Sequence, residues 1–473
     1  MDNVTQQMID FIEDICFEDL PKEVLHECKR LLLDSIGCAI GGLITEKGKI
    51  SIKVARRLNG NPEASIIGMG GKLACPNAAF ANGELINALD YDAIIVASHI
   101  PPFVLPAILA VAEKEKADGR KLLLAMVIGF EIAARISRST TGLMEIISDN
   151  TNFAILEFPA VHGYSGTIFG AIAGVGKLLN LECDKMLHAF GIGGSVTPMK
   201  NMPKWYNTPP AALTKYTMAG WLSYAAVTSA YLAQMGYTGI LNILDGEDGY
   251  WKFSGSKRWD AKKATEGLGK EWTFLDIDYK PYPCCRAMHG GLDCFSQILK
   301  ENSLKPEEIE EVNLFMHPLT EKSIWKNYNI KTHVDAQFSV PYVFAAMAYR
   351  IPLNMWQDYQ TMKDPRILKF MSKIKWNPHP FFTQEMLKDF HSRPVIVEVL
   401  TKNGIKIKKE AIYLKGSSFH KNYKLTDEEL IKKFKENSGR FLSKRKIELT
   451  IKYIMDLENL NIVDEFMENL SIY

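Results

Sequence analysis

A chain of 473 residues with 47% hydrophobic content has enough apolar material for a large buried core, and its length points to two or three domains. Its 56 basic residues stand against 55 acidic ones, a formal net charge of +1, which excludes a global field for nucleic acid or an anionic membrane. Any charge used in binding must therefore be local.

The opening stretch MDNVTQQMIDFIEDI carries acids where a signal peptide carries Lys or Arg, so export is not expected and a cytoplasmic location is. Pro21, at a first-turn position, then opens a helix. Its apolar residues Val24, Leu25, Cys28, Leu31, Leu32 and Ile36 keep the 3.6 period up to Gly41 and Gly42. Similar patterns predict helices over 77–89, 105–116, 121–137, 167–179 and 217–235, several of them rich in Ala and Gly. The longest uncharged apolar runs, 101–112 and 122–130, fall short of the roughly 20 residues a membrane span needs. From Glu271 the period changes. EEVNLFMH and RPVIVEVLTKNGIKIKKEAIYL alternate as strands do, the second with Asn403-Gly404 at a hairpin turn, while DAQFSVPYVFAAMAYR and FTQEMLKDF read as helices. Near Gly416 helix returns, with Thr426 as an N-cap ahead of first-turn acids. The expected fold is mainly α: a large multihelical domain built from both chain ends, residues 1–270 and 410–473, and a smaller α+β domain, 271–409.

Several motifs fail when counted. GAIAGVGKLL has Ala171 where a phosphate-binding loop needs its first glycine, and Leu178 where Ser or Thr should follow the lysine. Gly166, Gly170 and Gly174 are read instead as close helix packing. GIGGSV misses the third glycine of a dinucleotide fingerprint at Val196, so no nucleotide cofactor is expected. Eight scattered cysteines without an export signal read as reduced thiols. Cys284, Cys285, His289 and Cys294 lack the second separated pair that a structural zinc site uses, so no metal is expected, and the thiols read as packed or substrate-contacting.

Other residues leave alternatives open. Asp90 and Asp92 in NALDYDAIIVASH are helix-end acids or pocket groups, and His99 is a structural histidine or a ligand to substrate. His162 stands just before a glycine-punctuated helix start, where exposed N–H groups cap the helix or hold an anion. Lys215 and Lys280 sit among apolar and aromatic neighbours rather than in charge runs.

Read together, LLLDSIGCAIGG, NAAFANGELINALDYD, the Ser-His before PPFVLPAILAVAE, GFEIAARIS, SGTIFGAIAGVGKLLNL, LAQMGYTGILNILDGEDGYW, KPYPCCRAMHGGLDC, DAQFSVPY and RPVIVEV resemble the MmgE/PrpD family in a single order. That family includes 2-methylcitrate dehydratase, cis-aconitate decarboxylase and iminodisuccinate epimerase. The resemblance implies a homodimer, an α+β lid over the helical domain, and a pocket between them holding a small di- or tricarboxylate without metal or organic cofactor. It implies substrate-binding roles for Asp90, His99, Lys280 and His289, and proton transfer by His162 or Lys215. The chain reads Asp-Tyr-Asp-Ala-Ile-Ile where the dehydratase and decarboxylase branches commonly read Asp-Phe-Asp-Asp-Thr. The expected activity is a dehydratase or decarboxylase; an epimerase, or a binding dimer without catalysis, remains open. Replacing Lys215 or Lys280 by Met is expected to lower kcat/KM by about 10²-fold, with stability nearly unchanged.

Overall fold

The structure is a computed structural model that describes residues 3–96, 98–142, 145–148, 154–157, 164–197 and 202–472. It is mainly α. The first half is a bundle of long buried helices, of which six matter here: α1 (Lys22–Gly42), α2 (Cys75–Ile86), α3 (Pro101–Lys114), α4 (Gly119–Ser139), α5 (Thr167–Leu178) and α6 (Ala219–Gln234). Each expected helix is present, with ends displaced by a few residues where caps rather than periodicity decide. Asp118, for example, caps α4 by accepting from the Lys121 N–H, so the helix starts at Gly119, two residues ahead of the expected 121. The glycines of α5 work by close approach: a Cβ on Gly170 would collide with the Gly129 carbonyl of α4, and one on Gly174 would meet Ile108 of α3 and the Ala125 carbonyl. The phosphate-loop lookalike is thus the interior of a buried helix.

Two short strands join the helical bundle to the second half of the chain. β1 (Ile94–Ile95) pairs antiparallel with β2 (Ile277–Asp278), Ile94 opposite Asp278. This ladder sets the loop after α2 beside the segment that leads to Lys280. A four-stranded sheet then forms from β3 (Ile309–Met316), β4 (Ile374–Pro378), β5 (Val395–Thr401) and β6 (Lys406–Ala411), in the order β6-β5-β3-β4. The β5–β6 and β3–β5 pairs are antiparallel, and β3–β4 is parallel. Gly404 turns the hairpin in the left-handed region, φ 85°. One face of the sheet is covered by α7 (His289–Glu301), on which α8 (Val340–Ala348) packs. The alternation of β5 is buried at Val395, Val397 and Val399, so its inner face meets α7.

The chain end returns to the bundle. α9 (Asp427–Ser438) and α10 (Lys444–Met455) pack on α1, and α11 (Val463–Asn469) packs on α3. Thr426 caps α9 in a capping box with Glu429. Among the described residues no helix is long and apolar enough to cross a membrane.

Candidate active site

α2 ends at Ile86, and the next residues carry the polar groups. Residues 87–91 belong to neither helix nor sheet, so their carbonyls need other partners. Five buried side chains, distant in sequence, supply them. Lys215 Nζ donates to Asn87 O (2.9 Å), Gln337 Nε2 to Ala88 O (2.6 Å), Gln357 Nε2 to Leu89 O (2.8 Å), Lys280 Nζ to Asp90 O (2.8 Å) and Lys433 Nζ to Tyr91 O (2.7 Å). The turn is held from all sides. Asp90 itself sits in the left-handed region at φ 53°, as does Lys215 at φ 51° and the β-branched Val96 at φ 50°. Such conformations in non-glycine residues persist only where the surroundings impose them, and they cluster at functional sites.

The strained turn aims the Asp90 carboxylate between two ammonium groups. Lys215 Nζ lies 2.6 Å from Oδ1 and Lys280 Nζ 2.7 Å from Oδ2, with all three side chains at most 1% exposed. Beside them Asp92 Oδ2 and His99 Nδ1 are 2.6 Å apart. Asn87 links the two acids: its Nδ2 reaches Asp92 Oδ1 (3.4 Å) and donates to Tyr216 OH (2.7 Å), which in turn donates to Asp90 Oδ1 (3.5 Å). The His99 ring stacks on Tyr216, with centroids 4.9 Å apart.

Burial alone would raise both carboxyls, but Lys215 and Lys280 outweigh it at Asp90, and the bonded His99 ring followed by the two lysines outweighs it at Asp92, so both are held below the usual carboxylate range. The two lysines differ. Burial, with Lys47 and Lys280 nearby, brings Lys215 down to about 8 in spite of Asp90, whereas Asp90 and Asp92 together overcome the burial of Lys280 and raise it. Burial holds His99 below its ordinary value although Asp92 opposes the shift. A neutral His99 beside an ionised Asp92 carries its hydrogen on Nδ1, which leaves the Nε2 lone pair with no partner among the described residues.

Asp90, His99, Tyr164 and Tyr216 lie on the wall of a cavity of about 450 Å³, which extends to Arg286, to Met316 at the end of β3 and to Arg393 just before β5. Of the residues expected at the site, Asp90 and His99 line this cavity. Lys215 and Lys280 stand immediately behind Asp90 and reach the cavity through it. His162 lies outside the described residues. His289 is placed differently: it is fully buried and does not line the cavity, its Nε2 bonds the Cys284 carbonyl (3.0 Å), and its Nδ1 accepts from Arg286 (3.2 Å). Burial and Arg286 hold it neutral, so it fixes the turn rather than facing a ligand. Cys285 lines the cavity with its thiol pushed up to about 11 by burial, which leaves it protonated and a weak nucleophile. Among the described residues no group of three or more His, Cys, Asp or Glu converges as metal ligands would.

Sequence reasoning missed Asn87, Gln337, Gln357, Asp34 and Lys433. The available signal was a polar residue inside an otherwise apolar helical stretch, as in LLLDSIG and DAQFSVPY. Asp34 in α1 pairs with Lys433 in α9 at 2.6 Å and accepts from the Ala93 N–H (3.1 Å). Lys433 also donates to the Lys280 carbonyl (3.0 Å). This buried pair holds both segments that form the Asp90 clamp.

Residues 6–261 match the MmgE/PrpD N-terminal domain, and residues 282–457 match the MmgE/PrpD C-terminal domain. The chain is similar to the cis-aconitate decarboxylase of Homo sapiens, 25% identical over 476 residues, which covers 97% of this chain and 92% of the relative. It is 26% identical to a cis-aconitate decarboxylase of Aspergillus terreus over 327 residues, 66% of this chain and 62% of the relative. A cis-aconitate decarboxylase-like protein of Aspergillus oryzae is 26% identical over 319 residues, 63% of this chain and 61% of that protein. The chain thus spans about three fifths of the length of the fungal relatives it matches.

Proposed function

The chain belongs to the MmgE/PrpD family, and on that premise we propose that it is a lyase, a decarboxylase or dehydratase of a small di- or tricarboxylate that works by proton transfer next to a carboxylate. The Asp90 carboxylate clamped by Lys215 and Lys280, beside the His99–Asp92 pair on the cavity wall, carries this reading. Two lysines balance Asp90 and Asp92 at that end. The rest of the described lining has excess positive charge, with Arg138, Arg258, Lys263, Arg286 and Arg393 against Asp276 and Asp278. A polyanionic acid is the ligand such a lining attracts.

His99 Nε2 is the group in the right form to accept a proton near neutral pH, since Asp92 orients the ring and stabilises the imidazolium that results. Loss of a proton or of carbon dioxide next to a carboxylate places negative charge on the ligand, which the excess of arginine and lysine along the rest of the lining stabilises. Lys215, at about 8, is the cation whose proton exchanges most readily, and Lys280 stays charged. His162, expected as a proton-transfer group, is retained as the second candidate. The human and Aspergillus terreus relatives named above make cis-aconitate the first acid to try.

The test is incubation of the protein with cis-aconitate, citrate and 2-methylcitrate in deuterated water. Carbon dioxide release or formation of an unsaturated acid is the expected result. Deuterium incorporation without net product would assign an epimerase instead, and binding with neither a protein that has lost catalysis.

A further inference from the structure

The cavity has a second charged end, beside the four-stranded sheet, that the proton-transfer groups do not use. Arg286 and Arg393 both line it, and Asp278, also on its wall, is bonded to Arg286 and is the carboxylate whose charge most favours the Arg393 cation. Asp278 spends one oxygen on Arg286, accepting at Oδ2 from Nε (3.2 Å) and Nη2 (3.0 Å). Its Oδ1 is buried with no hydrogen-bond partner among the described residues. Arg393 uses Nη1 alone, on the Phe390 and Ser392 carbonyls (2.6 Å each), and its Nε and Nη2 have no partner among the described residues. Asp389, also within electrostatic reach of Arg393, is occupied by Tyr413 (3.0 Å) and does not line the cavity.

One carboxylate therefore faces two guanidinium groups in the cavity wall, among the rings of Phe382, Phe390 and Phe419. A partly desolvated guanidinium with a free edge is costly to keep unless an anion completes it. Burial lowers Arg393 to about 10, and Asp278 only partly restores it. The Ile94–Asp278 pairing sets this end four residues along the chain from the Asp90 clamp, inside the same cavity.

We propose that Arg393, supported by Arg286, forms a second carboxylate subsite that takes the end of the acid remote from Asp90 and His99. This rests on the reading of the cavity as a polycarboxylate site. Arg286 is already bonded to Asp278 and to the Lys415 carbonyl and holds the acid in place, whereas Arg393 presents the fork that a carboxylate fills.

The test uses tricarballylate, a saturated tricarboxylate, in isothermal titration calorimetry. Its Kd is expected to rise about tenfold to a hundredfold in Arg393→Gln and less in Arg393→Lys, which keeps the charge but loses the fork. Wild-type affinity in Arg393→Gln together with weakened binding in Lys280→Met would remove the second subsite and leave the inner site standing. No binding to the wild-type protein at millimolar concentration would remove both. Should the Arg393 variants fail to fold, a crystal structure of the wild-type protein with tricarballylate decides: a ligand carboxylate at hydrogen-bond distance from the Arg393 guanidinium supports the subsite, and a bound ligand without that contact overturns it.

Discussion

Lys215 and Lys280 hold opposite oxygens of one carboxylate, yet burial wins over attraction at the first and loses at the second. That asymmetry sets the pH behaviour. His99 must be neutral to accept a proton and is held below its ordinary 6.5, so kcat/KM is expected to fall only below that pH. Lys215 should impose a decline near its own value of about 8 as its charge is lost. A kcat/KM profile over pH 5 to 10 checks both limbs, and an alkaline limb that stays flat through pH 9 would exclude Lys215. Stability follows the same groups with the sign fixed by linkage. Both have folded values below their unfolded ones, so the folded state resists their protonation. Stability is lost as the pH falls below 6.5 through His99, and the cost of a buried charged Lys215 is relieved as the pH rises from about 8 towards 10.5. The expectation that Lys→Met changes would leave stability untouched does not survive the structure. Both ammonium groups are sealed against Asp90, so Lys215→Met or Lys280→Met leaves a buried carboxylate short of a partner. Each should cost roughly 3 kcal/mol by denaturant unfolding, in addition to about a 10²-fold loss in kcat/KM. A stability change within about 0.5 kcal/mol, as at a surface lysine, would contradict the clamp.

At the scale of elements, the turn after α2 is the part that needs explaining. Helix periodicity stops at Ile86, and the path of residues 87–91 is shaped by Lys215, Gln337, Gln357, Lys280 and Lys433, all from distant stretches of chain. α9 thereby acts on the clamp from a distance, because Lys433 bonds both the Tyr91 and Lys280 carbonyls while paired with Asp34. Lys433→Met is expected to destabilise the protein by roughly 3–5 kcal/mol, since it strands Asp34. Adding Asp34→Asn should recover part of the stability but not the rate, because the carbonyls of Tyr91 and Lys280 still lack their donor. Guanidinium unfolding and steady-state kinetics on the single and double variants check this; full recovery of rate in the double variant would show that Lys433 only compensates Asp34.

For the whole molecule, α6 leaves an apolar stripe in solvent. Trp221 and Leu232, eleven residues apart and so nearly eclipsed on the helix, are 46% and 40% exposed, and Met235, Tyr237, Ile240 and Leu241 extend the stripe. We propose this face as the contact of the expected homodimer. Trp221→Glu with Leu232→Glu should convert a dimer to a monomer in light scattering, and a wild-type protein that is already monomeric would overturn the proposal. The division into residues 1–270 with 410–473 and a separate 271–409 unit is proposed likewise. Limited proteolysis should cut near both boundaries while the C-terminal piece stays bound to the N-terminal one through α1.

The helices, the strand hairpin and the Thr426 cap were legible in the sequence because each arises from local periodicity, turn chemistry or capping, which neighbours along the chain decide. Asp90, His99, Lys215 and Lys280, which the family resemblance singled out, come together at one end of the cavity. Their effects on one another were not legible in the sequence. That Lys215 and Lys280 share one carboxylate, that His289 turns its nitrogens into the protein, and that Arg393 lines the same cavity as Asp90 depend on segments up to hundreds of residues apart. Burial decides which of these charges is paired, lowered or raised, and burial is a property of the packed chain. The sequence by itself determined which elements form and which polar residues are unusual for their surroundings; the tertiary structure decided which of those residues meet, because only the closed core removes the water that would otherwise keep them independent.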